Sequence, residues 1–566
     1  MLRSRFVIPA LAIVLILLRW VFPEADPAWF KGLDDLHDET WWAENARRHL
    51  LTGSWMWDEY AGALASGPLT AFWHFVSFRL FGISFFSLRL FSLIPATITG
   101  VLLIRNRVFK VAGYPILLLV ISSGGLFALS RIAYVESMLL CCFLSALALS
   151  RNMTVKSAIA GAFLLVAGML FKGSFVYLAA PLLLWILIDS KTPAKVRYYW
   201  LGSFSVLSIL AVVFYFLPNR DLFSEYTGYF SANSYSIKEL LHPGGWIARL
   251  VWLPAKETLA APFAGWVIIL FIVVQIKNGF NAERGSFSML LWFCLMAVLA
   301  SDFSDRRLVF LFVLPALAIS DLQDANRPDF KRTIAASFFL ALPILQYVTP
   351  AGLSNSELLT FYLLPGGLLL LIIVAAKFAE TKVLKYKGMH SPVLILASCI
   401  MAHSIIYHTS LNWASHAAIG FVPVYCLQLV LLAALLYRCL RQDEYARNLF
   451  VYSLVLAQTV VSFLAVSNSA FSIRNKANQF AALYPTEVRF RGNPQALELL
   501  FLSGALTNFT ESAKDSSCKT PALYLWDKNL VDSVKTMAIN GCFTSVESDS
   551  LVPGPAGFRM SYYFMR

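Results

Sequence analysis

Charge is what this chain has least of. Only 14% of its 566 residues are Asp, Glu, Lys or Arg, against 58% hydrophobic, a balance that excludes a soluble globular protein. Acidic residues are the scarcer sign, 33 against 46 Lys and Arg, for a net charge of +13. In a soluble protein that excess would suggest nucleic acid. Here the basic residues cluster in short loops between apolar runs, where they set membrane topology, so no nucleic-acid partner is expected. Cysteine is also sparse, at 8 residues. Six lie in or beside apolar runs and read as buried small hydrophobes. The chain has no repeat of fixed period, no low-complexity tract, and no Walker-type or glycine-rich nucleotide fingerprint, so nothing points to a nucleotide-sugar or ATP site.

What the chain does have is apolar runs of bilayer-spanning length. They fall near 6–22, 81–104, 112–130, 134–150, 157–171, 174–189 and 199–217. Others follow near 261–276, 286–301, 308–320, 333–349, 357–376, 391–408, 416–437 and 447–466, for about 13–15 transmembrane helices. The first run follows Arg3 and Arg5 and leads into Pro23-Glu24-Ala25-Asp26-Pro27 without a small-residue cleavage site, so it reads as a retained anchor. Basic residues fall on alternate loops: Arg105 to Lys110, Arg151 to Lys156, Lys191 to Arg197, Lys277 to Arg284, Lys331-Arg332, Lys377 to Lys387 and Arg438 to Arg447. Those loops are expected to be cytoplasmic. The loops 24–80, 218–260 and 301–307 and the tail after 466 then face the other side. This predicts an integral protein of a bacterial inner membrane, N-terminus cytoplasmic.

The most acidic segment of the chain runs between Leu33 and Leu69, in LDDLHDETWWAENARRHLLTGSWMWDEYAGALASGPL. Asp38-Glu39 opens a helical pattern continued by Trp41, Trp42, Ala46 and Leu50, with Asp38 as N-cap or first-turn residue. A carboxylate there sits at the positive end of a helix dipole, and the tryptophans can lie at headgroup level. The same stretch also reads as an amphipathic interfacial helix with a solvated acidic face, Asp58 and Glu59 included. A second cluster is Ser130-Arg131 with Glu136, in GGLFALSRIAYVESMLL; an Arg and a Glu at a span end also read as a snorkelling pair. Lys172-Gly173 lies between two short spans. It is either an interfacial anchor or a phosphate contact. The long outer loop 218–260 carries Tyr226, Tyr229, Tyr235, His242, Trp246, Arg249, Trp252 and Lys256, the composition of a half-embedded lid. Adjacent Arg306 and Arg307, on the side where arginine is disfavoured, need a counterion. Phosphate offers oxygens to the guanidinium fork, and Asp302 and Asp305 offer an intra-loop alternative.

The order of these features resembles the first outer loop and following spans of the GT-C glycosyltransferases. The matching run is Asp38-Glu39, Ala46-Arg47-Arg48, Thr52-Gly53-Ser54-Trp55, Gly67-Pro68-Leu69, an aromatic-rich helix, and Leu80-Phe81-Gly82 before Arg89. More narrowly it is similar to the branch holding protein O-mannosyltransferases and the aminoarabinose transferases that modify lipid A. The resemblance covers the first 320 residues. It implies Asp38 as the catalytic or substrate-positioning carboxylate with Glu39 in support, and substrate-binding roles for Arg131, Glu136, Lys172, His242, Arg249, Arg306 and Arg307. Where the family carries an aspartate after the arginine, this chain has Glu136. The family's metal-holding histidine corresponds loosely to His242. Its Lys-Pro-Pro-Leu region reads Ser66-Gly67-Pro68-Leu69 here, without the lysine or a preceding glutamate. A divalent metal is therefore left open, since Asp58 and Glu59, themselves candidate substrate-binding residues, substitute only if the fold brings them near; no other cofactor is implied.

After residue 466 the composition turns mixed and polar, which predicts two domains: a transmembrane domain over 1–466 and a small soluble α+β domain outside the membrane over 467–566. Ala522 to Trp526, Phe543 to Val546 and Met560 to Met565 read as strands around a helical pattern from Lys528 to Met537. Cys518 and Cys542, the only cysteines there, suggest a disulfide in an oxidising compartment. The fold expected is an α-helical polytopic membrane protein of GT-C type. Its expected activity is transfer of a sugar from a polyprenyl-phosphate donor to a lipid, glycan or protein acceptor on the outer face, with inversion. The rival classes are a flippase or transporter of lipid-linked saccharides and a glycan polymerase or ligase.

Overall fold

A computed structural model describes residues 13–25, 38–53, 55, 67–106, 110–111, 114–115 and 130–220, positions 290, 293–294, 466, 471 and 474, and five short strands beyond 487. Seven helices dominate these residues. They are α1 (Asp38–Thr52), α2 (Pro68–Phe81), α3 (Phe85–Arg105), α4 (Glu136–Ser150), α5 (Val155–Phe171), α6 (Val176–Ile188) and α7 (Ala194–Ala211).

Local sequence accounts for their ends. Ser84 and Thr154 each form a reciprocal capping box, with Ser87 and Ser157, at the starts of α3 and α5, satisfying amide donors that have no partner within the helix. Pro68 opens α2, where its missing N–H costs nothing. Gly53 and Gly82 take φ of 78° and 77° just past α1 and α2, and their amides donate to His49 and Phe78 carbonyls, a positive-φ helix ending that glycine permits at least cost. The apolar run expected over 81–104 is the single helix α3, entered four residues later because α2 ends at Phe81 before Gly82. The run expected over 112–130 also begins differently: Lys110–Val111 (β1) and Tyr114–Pro115 (β2) pair antiparallel across two residues, one of them glycine.

Consecutive helices α4, α5 and α6 run back and forth, so Glu136 and Lys172 meet at one end while Arg151 and Asp189 meet at the other, 4.0 Å apart. Helix α4 is the central one. It is buried along nearly its whole length and packs against α3, α5 and α6. Glycines allow the close approaches around it. A side chain at Gly67 would strike the Phe171 carbonyl, and one at Gly161 would strike the Trp200 ring. The same Phe171 carbonyl accepts the Thr70 hydroxyl at 2.8 Å, fastening α2 to the end of α5.

Two described helices are long and apolar enough to cross a bilayer, Phe85–Arg105 and Ala194–Phe216. The second includes a π-helical turn at Val212–Phe216. It exposes Tyr198, Val206, Ile209 and Phe214 while burying only Val196 and Trp200, a surface suited to hydrocarbon rather than water.

Beyond residue 487, Val488–Phe490 (β3) and Thr507–Phe509 (β4) pair in parallel. Ala522–Asp527 (β5), Ser545–Asp549 (β6) and Met560–Met565 (β7) form an antiparallel sheet with β7 in the centre. The three strands expected from sequence are present, the middle one starting two residues later and ending three later. The parallel pair was not expected, and the helical pattern over 528–537 lies outside the described residues, as do Cys518 and Cys542.

Candidate functional site

Helix α1 starts at Asp38, as its sequence predicts. The next residue, Glu39, does not face solvent. It is 1% exposed, and its carboxylate receives a fork of hydrogen bonds from Arg89 on α3, Nε to Oε1 at 2.6 Å and Nη2 to Oε2 at 3.1 Å. Oε1 also accepts the Ala133 amide at 3.0 Å. Three segments far apart in sequence therefore converge on one carboxylate. A buried bidentate pair of this kind stands only because every lone pair it turns inward finds a donor.

Arg131, in the turn before α4, donates to the Val21 and Phe22 carbonyls at 3.1 and 3.0 Å. Burial and the neighbouring charge of Arg89 push its pKa down to about 10, so it stays charged at neutral pH. Glu136 opens α4 and is buried, and its carboxylate accepts from Lys172 Nζ at 2.9 Å. The Lys172 ammonium also lies 5.5 Å from the ring centre of Trp42, one turn along α1 from Asp38. The end of the helices that holds the start of α1 thus gathers Glu39, Arg131, Glu136 and Lys172.

One expectation is corrected here. Trp42 was expected at headgroup level and is instead 5% exposed, inside the helix packing. The alternative reading of α1 as an interfacial helix with a solvated acidic face does not hold at Glu39 and Glu44: both are buried, and Glu44 pairs with Arg47 at 2.9 Å. Arg47 of the Ala-Arg-Arg motif is fully buried. Of the remaining residues singled out in the sequence, Asp58, Glu59, His242, Arg249, Arg306 and Arg307 lie outside the described residues. Among the described residues no three His, Cys, Asp or Glu side chains come together as metal ligands.

Sequence reasoning passed over Arg89, using it only as a landmark, and passed over Glu24. Glu24 Oε2 accepts from Arg474 Nη1 at 3.0 Å, and Oε1 accepts the Phe86 amide at 3.3 Å. With Phe22, Pro23, Ser84, Phe86 and Phe471 the two charges line a cavity of about 490 Å³ beside the site. The available signal was Arg89 itself, an arginine within an otherwise apolar run, which calls for a partner.

His74 was also missed. It lies midway along α2, outside the runs of spanning length, fully buried between Phe78 and Phe91, and neither ring nitrogen has a hydrogen-bond partner. Burial pushes its pKa from 6.5 down to about 3. Above pH 6.5 the ring is neutral whether the chain is folded or not. As pH falls below that value the unfolded chain takes up a proton that the folded chain refuses, and stability drops by about 1.4 kcal/mol per pH unit. Melting temperatures of the detergent-purified protein at neutral pH and at about pH 5 measure this. The fall should be smaller in His74→Leu; an equal fall would remove His74 as its source.

No protein-family model matches the sequence, and no curated protein matches it. Two crystal structures resemble the chain along its length. One is ArnT from Cupriavidus metallidurans in the apo state, 12% identical over 98% of this chain and 97% of that one, with a TM-score of 0.49. The other is the same protein bound to undecaprenyl phosphate, 13% identical over the same shares, with a TM-score of 0.48.

Proposed function

We propose that this chain is a polytopic membrane glycosyltransferase that takes a sugar from a polyprenyl monophosphate on the outer face of the membrane. One observation carries the reading. Four residues chosen from sequence, Glu39, Arg131, Glu136 and Lys172, lie at the helix end where α1 begins with Asp38. In this reading Asp38 accepts the proton of the acceptor hydroxyl as that oxygen bonds to the anomeric carbon. The bond from that carbon to the lipid phosphate breaks in line, and the configuration inverts. Arg306, Arg307 and Arg249 stabilise the charge that grows on the departing phosphate.

The test is a transfer assay on purified protein in nanodiscs with a polyprenyl monophosphate carrying a labelled sugar. Expected is release of free polyprenyl phosphate with the label moved to an acceptor extract. If instead the intact labelled lipid crosses the bilayer of proteoliposomes without cleavage, the chain is a flippase. Mass spectrometry of surface lipids and glycans from cells lacking the gene then identifies the sugar.

A further inference from the structure

The geometry points to Arg89 as the positioning residue of the site, the group that fixes the start of α1 and with it Asp38; this rests on the reading of Asp38 as the base. The Arg89 guanidinium is 2% exposed and is spent almost wholly inside the protein. Nε and Nη2 hold the two oxygens of Glu39. Nη1 donates to the Pro23 carbonyl at 2.7 Å and to the Ala25 carbonyl at 2.6 Å. Four of the five guanidinium N–H donors are therefore committed, and the cation also rests 4.9 Å from the Phe85 ring centre. A phosphate would find at most one donor there. Arg89 is built to hold backbone and carboxylate, not a ligand.

What it holds defines its role. Ala25 and Glu39 bracket residues 26–37, so a single planar group ties down the chain on both sides of that segment. Glu39 is locked further by the Ala133 amide. It cannot turn without breaking three hydrogen bonds, and Asp38 precedes it directly at the first position of the helix. Misplacement of a reacting group by a fraction of an ångström is felt in turnover and not in ground-state binding. Lysine would keep the charge but not the fork.

The experiment compares wild type, Arg89→Lys, Arg89→Gln and Glu39→Gln in the transfer assay, together with amide hydrogen exchange over residues 39–46 and 133. Glu39→Gln keeps the side-chain shape and leaves the carbonyl contacts of Arg89 in place, which preserves the test if the Arg89 variants do not fold. Expected is a kcat lower by about 10- to 30-fold in Arg89→Gln, a smaller loss in Arg89→Lys and Glu39→Gln, donor KM within about twofold, and faster exchange at those amides. The apparent pKa of the base in the kcat–pH profile should change little. A donor KM raised about tenfold with kcat retained would overturn the proposal and make Arg89 a donor ligand. Unchanged kcat with faster exchange would overturn it as well, leaving Arg89 purely structural. Wild-type protein that transfers no sugar yet shows the exchange differences would sink the glycosyltransferase reading while leaving the brace itself standing.

Discussion

Asp38→Asn should fold normally and turn over at least about a hundredfold more slowly, the scale on which a lost general base is felt. Asparagine keeps the size of the side chain and serves a helix start as well as aspartate does, and α1 begins at this residue. What it removes is proton acceptance and the charge at the positive end of the helix dipole. The measurement is kcat on variants matched to wild type for melting temperature and elution profile, with a polyprenyl-phosphate sugar as donor. Near-normal turnover would take Asp38 out of the mechanism. The carboxylates to examine next would be Asp58 and Glu59, since Glu136 is already engaged by Lys172.

Replacing Arg306 and Arg307 together with glutamine should weaken use of the lipid-phosphate donor by about 2 to 4 kcal/mol, on the scale of two charged hydrogen bonds lost. The alternating basic loops predict that residues 301–307 face outward, where positive charge is disfavoured; two adjacent arginines there would require an anion, and the donor phosphate is the one the proposed reaction supplies. The quantity to follow is kcat/KM for the donor at constant salt. Each single variant should show part of the loss. An unchanged double variant would assign both arginines to Asp302 and Asp305 of their own turn, and Arg249 would become the leading phosphate contact.

Much of the local architecture was legible residue by residue. The start of α1 at Asp38 follows from a helical apolar pattern opened by an acidic residue. The endings at Gly53 and Gly82 and the proline start at Pro68 follow from backbone preferences that act within a few residues. The strands β5 and β7 were visible as runs of branched and aromatic residues. Residues of the site were legible as unexplained charge: Arg131, Glu136 and Lys172 stand out because charge is rare in this chain.

Composition, apolar periodicity and capping chemistry are local, so the sequence by itself determined that this is a helical chain with runs of membrane-spanning length, that α1 begins at Asp38, and that its scarce charges are the residues to watch. Partnership is not local. Only the tertiary structure decided that Glu39 belongs to Arg89 across 50 positions and Glu136 to Lys172 across 36, that Trp42 is packed inside rather than laid on an interface, and that His74 is buried without a hydrogen bond. The reason is desolvation. Once the helices pack, each charge taken from water must meet whatever opposite charge the packing brings within about 3 Å, and that choice depends on how whole helices are placed.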